Sequence, residues 1–379
     1  MALVNLIWDY IIPFLFILTV LVYVHEMGHY LIARRNGVRV EVFSIGFGPE
    51  IYGWTNAAGT RWKISAIPLG GYVKMFGESD SPDQENKETR DMSAQERAVS
   101  FHHKRLGQRA AIVAAGPIAN YLFAIVLLAA LFGIVGNPRA LSGVGSVQPE
   151  SAAATAGLQP GDLVTGIDGI PTQWFDDLRD SVSGKPGKVI SLSIRRNSQE
   201  LTLSAIPQPV EIEDEAGTRV VIGRLGIAPD PNQVSYERQN PIAAISMAVE
   251  RTIALSWRIL TYLGEIVSGT QKADDLGGPL RIAQISGEMA QGGLANILSF
   301  MAALSINLGL INLFPIPMLD GGHLVYYAAE GLRGRPLGPR AQEYGFRFGL
   351  ILVFMLMIFA TWNDLVHLKV IDFLKGLIT

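Results

Sequence analysis

The sequence predicts a polytopic α-helical membrane protein with about four transmembrane helices, a membrane-associated β element and an extracytoplasmic α+β domain. Hydrophobic residues make up 49% of its 379 residues and charged residues only 17%, whereas soluble domains carry about 25% charged residues. Four apolar stretches are close to or above the roughly 20 residues that a helix needs to cross a bilayer. A longer, more polar segment with strand-like alternation separates the second stretch from the third.

The four apolar stretches are residues 6–33, 110–136, 297–319 and 346–362. The first of them could instead be a signal peptide, which would need a basic start and a cleavage site of small residues. No Lys or Arg precedes it, and "YVHEMGHY" near its end is a poor cleavage site. The first stretch is therefore predicted to be a transmembrane helix.

The distribution of Lys and Arg predicts which loops face the cytoplasm, because basic residues are enriched on that side. Basic residues follow the first stretch, precede the second, and separate the third from the fourth. They are Arg34, Arg35, Arg39, Lys104, Arg105, Arg109, Arg333, Arg335, Arg340 and Arg347. These loops are predicted to be cytoplasmic, so both termini and the long middle segment lie outside. The net charge of −3 gives no indication of nucleic-acid binding.

Residues 143–207 have the pattern of a compact soluble domain, in which "VISLSIRR" and "ELTLSAI" alternate like strands. The preceding "SAAATAGLQPGDLVTGIDGIPT" resembles the core of a PDZ domain of the bacterial protease type. The resemblance implies a fold that binds extended peptides by adding a strand to a sheet edge. The alternative is a small β domain that only spaces two spans. The sequence leaves open whether the groove binds a peptide tail or excludes large substrates.

Residues 241–268 combine apolar residues at helical spacing with Glu250, Arg251, Arg258 and Glu265. A fifth span would have to bury these charges, so an amphipathic helix at the membrane interface is the preferred interpretation. The predicted domains are an N-terminal membrane domain (1–136), the PDZ domain (137–210), a linker with the amphipathic helix (211–296) and a C-terminal membrane domain (297–379).

The first apolar stretch contains "VHEMGHY", in which His25, Glu26 and His29 form His-Glu-x-x-His. On a helix, His25 and His29 share one face and can bind one zinc ion. Glu26 could then take a proton from water whose pKa the zinc lowers to about 7. The chain has no Cys, so any metal ligands must be His, Asp or Glu. The alternative, two histidines exposed at the interface, is disfavoured because "YLIA" continues the apolar run after His29.

A catalytic zinc needs three protein ligands and an open position. The candidate third ligand is Asp320 in "NLFPIPMLDGGH", where Pro315 and Pro317 would interrupt a helix. Broken backbone at membrane depth is tolerated where it lines a polar cavity, and the two glycines after Asp320 permit a turn toward the metal. His323 is the rival ligand. The histidines not expected to bind the metal are His102 and His103 in the basic "FHHKR" and His367 beyond the last stretch.

Together these motifs resemble the site-2 protease family of intramembrane zinc metalloproteases, in particular its bacterial RseP type. The resemblance rests on "HEMGH", "NLFPIPMLDGG", the PDZ-like segment, "FSIGFGPEIYGW", "ISAIPLGGYVKMFGE", "AAGPIANYLFAIV" and "GGPLRIAQ". One PDZ-like segment is found where the RseP type has two in tandem. The resemblance implies that His25, His29 and Asp320 bind Zn²⁺. It further implies that Glu26 activates water and that Asn312 holds the substrate or stabilises the reaction centre.

The resemblance also implies the substrates and the location. Members of the family cut single-span membrane proteins, such as an anti-sigma factor already trimmed by another protease, and remnant signal peptides. Residues 61–75 alternate enough to be strands. In the family they resemble a membrane-dipping β element that binds the substrate as an added strand. The chain would lie among the lipids of a bacterial inner membrane, with the active site toward the cytoplasm and the PDZ domain in the periplasm.

Three other functions are possible from the residues alone. A catalytically inactive adaptor would need only the PDZ domain, and the complete set of site residues disfavours it. A transporter would be expected to show more spans and paired repeats, and the sequence has no such repeats. A soluble zinc protease on a membrane anchor would place the histidine pair outside the apolar run.

Overall fold

The chain divides into two compact units, one made of Met1–Leu131 with Pro241–Thr379 and the other of Phe132–Asn240. The residues that the computed structural model describes are 6–78, 92–213, 219–271 and 277–367. The helices are α1 (Ile12–Arg35), α2 (Ala94–Val99), α3 (Leu106–Ala130), α4 (Ala152–Thr155), α5 (Phe175–Ser183), α6 (Pro241–Ser268), α7 (Pro279–Gln291), α8 (Leu294–Asn312), α9 (Asp320–Arg333) and α10 (Pro339–His367). The strands are β1 (Val40–Thr55), β2 (Arg61–Met75), β3 (Asn137–Ala140), β4 (Val144–Val147), β5 (Leu163–Ile167), β6 (Ile170–Pro171), β7 (Ile190–Arg196), β8 (Gln199–Ala205), β9 (Gln208–Glu213), β10 (Arg219–Arg224), β11 (Ile227–Pro229) and β12 (Val234–Glu237).

Four helices of the described residues are long and apolar enough to cross a membrane, as the sequence predicts. They are α1 with a preceding π-helical turn (Ile7–Arg35), α3 with a following π-helical turn (Leu106–Val135), α8 (Leu294–Asn312) and most of α10 (Arg340–Val366). Many of their large apolar side chains are exposed, including Phe16, Leu122 and Phe354. Exposed apolar surface on this scale fits a surrounding of hydrocarbon rather than water.

The predicted helix after the polar segment is present as α6. One face of α6 packs against α3, and Ala248 and Thr252 are buried there. Ile253 and Trp257 are exposed, and so is the charged Arg258. Helix α6 is not one of the four described helices that are apolar enough to span a membrane. Its position at the membrane interface stays a prediction.

Helices α1, α3 and α8 pack around a shared apolar core, in which Ile17, Leu21 and Met301 are buried. Farther along α1, Gly28 lies so close to α3 that a Cβ on it would overlap the carbonyl oxygen of Ala115. Small residues allow membrane helices to approach this closely. The crossing of α1 and α3 is therefore fixed at the level of the histidine motif.

Strands β1 and β2 form one sheet that folds back on itself. Residues 42–45 of β1 pair both with residues 71–74 and with residues 61–64 of β2. The prediction that residues 61–75 form strands is thereby confirmed. Large apolar side chains are exposed near the folded end of the sheet, namely Phe47, Ile51, Ile67 and Leu69. Such an end is suited to contact with lipid.

A buried carboxylate joins α10 to the N-terminus of α7. Asp364 accepts hydrogen bonds from the backbone N–H groups of Gly278 at 2.7 Å, Leu280 at 2.9 Å and Arg281 at 3.1 Å. A carboxylate in an apolar helix is costly unless it is paired, and the positive end of the α7 dipole supplies the partner. Gly278 permits the contact, because a Cβ there would lie only 2.7 Å from Asp364 Oδ2.

The second unit has the elements predicted for a PDZ-type domain. Its main sheet has the order β6-β5-β7-β8, and β4 pairs with β11. The core consists of apolar residues from the strands and from α4 and α5, including Val144, Ala153, Leu178, Val182, Ile190, Leu192 and Ile194. Hairpin β9–β10 and ribbon β3–β12 complete the unit. It extends to Asn240 because β11 and β12 pair with strands near its beginning.

Asp162 is a buried carboxylate that binds Arg196 at the end of β7. It accepts two hydrogen bonds from the Arg196 guanidinium, each at 2.7 Å, and one from the N–H of Gln159 at 2.8 Å. Burial raises the pKa of Asp162, but these hydrogen bonds outweigh burial and lower its pKa below the ordinary value. The stabilisation is therefore present above the ordinary pKa and is lost as the pH falls through the lower folded pKa.

We predict that Asp162→Asn destabilises the second unit by about 2 kcal/mol, because the charged hydrogen bonds to Arg196 are lost. Amide hydrogen exchange in β5 and β7 of the detergent-solubilised protein should become about 30-fold faster. The matched control is Asp180→Asn, because Asp180 pairs with Arg179 on the exposed surface, where ion pairs contribute little. Equal exchange rates in the two variants would contradict the prediction.

Candidate metal centre

The His-Glu-x-x-His motif lies in the C-terminal half of α1, which runs on to Arg35. The rings of His25 and His29 lie on the same side of the helix, with centroids 4.8 Å apart, as their spacing predicts. His29 is buried and His25 half-buried. Both imidazoles are therefore available to one metal ion.

Helix α3 holds the two imidazoles in place. His29 Nδ1–H donates to the carbonyl oxygen of Ile112 at 2.9 Å, which leaves a lone pair on Nε2. The Asn120 amide lies 3.1 Å from His25 Nδ1, and Asn120 Oδ1 is buried without a hydrogen-bond partner among the described residues. If the amide is turned over, Oδ1 accepts from His25 Nδ1–H, and His25 Nε2 also has a lone pair. Such contacts orient metal-binding histidines.

Gly116 of α3 leaves the space that the imidazoles occupy. A Cβ at Gly116 would overlap His29 Nε2 and would lie 2.8 Å from His25 Cε1. Gly in a helix interior costs about 1 kcal/mol relative to Ala, so the missing side chain has to be useful. Here it lets the face of α1 that carries His25 and His29 lie directly against α3.

Asp320 is the first residue of α9 and enters the site from a break between two helices. The break contains Pro315 and Pro317. Its turn places Met318 at φ +95°, which is uncommon for a residue other than Gly. The two glycines after Asp320 serve close packing rather than the turn, because a Cβ on either would overlap or crowd carbonyl groups of the preceding loop.

Three possible ligand atoms converge at this point. Asp320 Oδ2 lies 3.2 Å from His25 Nε2 and 3.5 Å from His29 Nε2, and the two Nε2 atoms are 3.2 Å apart. Zinc bonds of about 2.0–2.1 Å at tetrahedral angles would place ligand atoms about 3.3 Å apart. Two lone pairs and a carboxylate oxygen at these distances repel one another unless a cation or protons lie among them. The three residues therefore fit a zinc ion, in the number that catalytic sites use.

Glu26 lies between the two histidines in sequence and faces the β element. Its carboxylate accepts a hydrogen bond from the backbone N–H of Val73 in β2. A Cβ at Gly71 would lie 3.4 Å from Glu26 Cγ, so β2 passes directly beside the carboxylate. Among the described residues, the strand of residues 71–74 pairs with β1 on one side only. No second described strand pairs with its other side.

The other residues singled out from the sequence lie outside this group of ligand atoms. Asn312 is half-buried at the C-terminus of α8. His323 is exposed on α9. His102 is half-buried and His103 exposed, both before the start of α3. The side chain of His367 lies outside the described residues.

Sequence reasoning missed the parts played by Gly116 and Asn120, although both lie in the quoted "AAGPIANYLFAIV". A polar side chain in an apolar helix is costly and tends to have a function, and that signal could have identified Asn120. The part played by Gly116 depends on where α1 crosses α3. A single sequence does not reveal that crossing.

Residues 13–356 match Peptidase family M50. The chain belongs to that family. The match includes both ends of the metal centre, since His25 and His29 lie near its beginning and Asp320 near its end. Membership confirms the resemblance to the site-2 protease family, and it makes the protein a metalloprotease.

Relatives of this M50 peptidase are similar over almost their whole length. A protein of Agrobacterium fabrum that carries the name zinc metalloprotease is 46% identical, over 96% of this chain and 98% of its own. Metalloprotease MmpA of Caulobacter vibrioides is 36% identical, over 97% of this chain and 98% of its own. Regulator of sigma-E protease RseP of Escherichia coli is 34% identical, over 95% of this chain and 99% of its own.

We predict that Gly116→Ala weakens zinc binding about tenfold or more, because the added methyl group displaces the rings of His25 and His29. The matched control is Gly107→Ala on the same helix, where a Cβ meets nothing within 4 Å. Zinc affinity is measured by competition with a chromophoric chelator, and helix content by circular dichroism. Unchanged affinity in Gly116→Ala would contradict the proposed need for this space.

Proposed function

We propose that this M50 peptidase is a zinc-dependent endopeptidase that cuts the transmembrane segments of single-span membrane proteins. The proposal rests on the convergence of His25, His29 and Asp320 within 3.2–3.5 Å, with both histidines on a helix that is apolar enough to span a membrane. Ligands carried by such a helix can act on peptide bonds that lie at membrane depth. The zinc metalloprotease name of the Agrobacterium relative supports the choice of metal.

Each site residue has a separate role in the proposed reaction. Zinc held by the three ligands would polarise the scissile carbonyl and lower the pKa of a water molecule. Glu26 takes the proton from that water and passes it to the departing amide nitrogen. The N–H of Val73 holds the Glu26 carboxylate in a fixed direction. Asn312 offers an amide N–H to the substrate or to the developing oxyanion.

A transmembrane helix hides its peptide bonds in its own hydrogen bonds, so the substrate has to be stretched before it is cut. The edge of β2 at residues 71–74, with which no second described strand pairs, is suited to receive it, because added strands bind through main-chain hydrogen bonds. A strand on this edge would bring its backbone within reach of Glu26. The exposed apolar residues at the folded end of the sheet support its placement in lipid.

The proposed substrates are single-span proteins such as an anti-sigma factor already trimmed by another protease, together with remnant signal peptides. The name of the relative RseP, regulator of sigma-E protease, supports this choice. The proposed location is a bacterial inner membrane, with the active site toward the cytoplasm. The second unit would be periplasmic, where its PDZ-type groove binds a peptide tail or excludes large substrates.

We predict that Glu26→Gln lowers kcat by about 10²–10⁴-fold without loss of bound zinc. An amide cannot accept the proton from water, and Glu26 is not one of the three ligands. The measurement is cleavage of a single-span substrate in proteoliposomes, together with the zinc content of the purified protein. The variant should also trap the uncut substrate.

Two further variants make this test specific. Asp320→Asn should lose both cleavage and zinc, whereas Glu343→Gln, which alters an exposed ion pair with Arg347, should change neither. Normal cleavage by Glu26→Gln would show that the role assigned to Glu26 is wrong. Wild-type protein that binds zinc and substrate but cuts nothing would instead support the adaptor function.

A further inference from the structure

We infer that the ion pair between Arg109 and Glu330 positions Asp320 at the metal centre. Arg109 lies in the first turn of α3 and Glu330 near the end of α9. The inference rests on the proposed metal site, because it explains how Asp320 is brought to His25 and His29. The pair does not touch the three ligand atoms, so both of its members are positioning residues.

The geometry of the pair is that of a strong, partly desolvated contact. A terminal nitrogen of Arg109 lies 2.6 Å from Glu330 Oε1, and the two side chains are only 13% and 18% exposed. The guanidinium carbon also lies 5.0 Å from the ring centroid of Tyr327, one turn earlier in α9. Arg109 thus holds α9 through a charged hydrogen bond and a cation–π contact.

Asp320 is the first residue of α9, so a contact that holds α9 also holds Asp320. The loop between α8 and α9 has no regular structure and contains two prolines, so no continuous helix connects Asp320 to α8. Helix α9 packs chiefly against α3, where Leu324 and Tyr327 lie against a cluster that includes Ile112. Glu330 lies about 15 Å along the helix from Asp320 and fixes the far end.

Helix α3 is also the element that orients the histidines. Ile112, whose carbonyl accepts the hydrogen bond from His29, lies one turn after Arg109 in α3. The two histidines and Asp320 are therefore all held in position by α3. The histidines are held by direct hydrogen bonds, and Asp320 is held through the ion pair. Loss of the pair would let α9 shift relative to α3 and would spread the three ligand atoms.

Removing the charge of Glu330 while Arg109 stays charged has a further cost. Arg109 Nε is already buried without a hydrogen-bond partner among the described residues, so a neutral residue at position 330 leaves a poorly solvated cation. His102 does not add a competing positive charge near pH 7, because burial and the Arg109 charge lower its pKa to about 4. The positive charge of Arg109 is therefore balanced by the Glu330 carboxylate.

The test is Glu330→Gln in the full-length, detergent-solubilised protein. We expect zinc binding to be about 3- to 30-fold weaker, measured by competition with a chromophoric chelator, and kcat to fall while KM stays within about twofold. The matched control is Glu343→Gln, whose pair with Arg347 has the same 2.6 Å contact but lies on the exposed surface of α10. The control should leave zinc affinity and kcat unchanged.

A charge swap separates positioning from the mere presence of Glu330. Arg109→Glu combined with Glu330→Arg should recover zinc affinity relative to either single substitution, because the pair is restored. Wild-type affinity in Glu330→Gln would overturn the inference. So would a variant that melts earlier without zinc but binds zinc normally below its melting temperature, or a swap no better than the single variants.

Failure of the metal site itself would give a different result. In that case Asp320→Asn would bind zinc as tightly as the wild type, and the proposed function would fall together with this inference. If Asp320→Asn loses zinc and Glu330→Gln does not, only the positioning role is wrong.

Discussion

The close approach of α1 and α3 is the constraint on which the rest of the membrane unit depends. Gly28 of α1 meets the carbonyl of Ala115, and Gly116 of α3 meets the two imidazoles. With a methyl group at either position, the ring nitrogens of His25 and His29 could no longer occupy the same place. A separate contact joins α8 to α3, in which Ser305 Oγ–H donates to the Asn120 carbonyl at 2.8 Å.

Buried or half-buried polar side chains join the helices of this protein to one another. His29 donates to a carbonyl of α3, Asp364 binds the N-terminus of α7, and Glu330 binds Arg109. Each of these contacts joins two helices. A polar side chain left without a partner in hydrocarbon would cost several kcal/mol. In lipid, where apolar side chains gain little by leaving their surroundings, such contacts fix the relative positions of the helices.

Much of the architecture could be predicted because its signals are local. The apolar stretches gave the four long helices, and alternation gave the strand of residues 61–75. The spacing of His25 and His29 required only a helix. The partners that complete the site were harder to predict, because Asn120 and Arg109 act through a helix crossing that no local pattern encodes. The sequence also predicts a turn at the two glycines after Asp320, whereas the positive φ of the turn lies at Met318.

The order of the ligands along the chain has a consequence for biosynthesis. The two imidazoles emerge from the ribosome early, but the carboxylate that completes the set follows roughly three hundred residues later, after the whole second unit has been made. Because N-terminal segments begin to fold first, the nascent protein passes through a long period in which His25 and His29 are present without Asp320. The group of three ligand atoms therefore cannot be complete until synthesis of the chain is nearly finished.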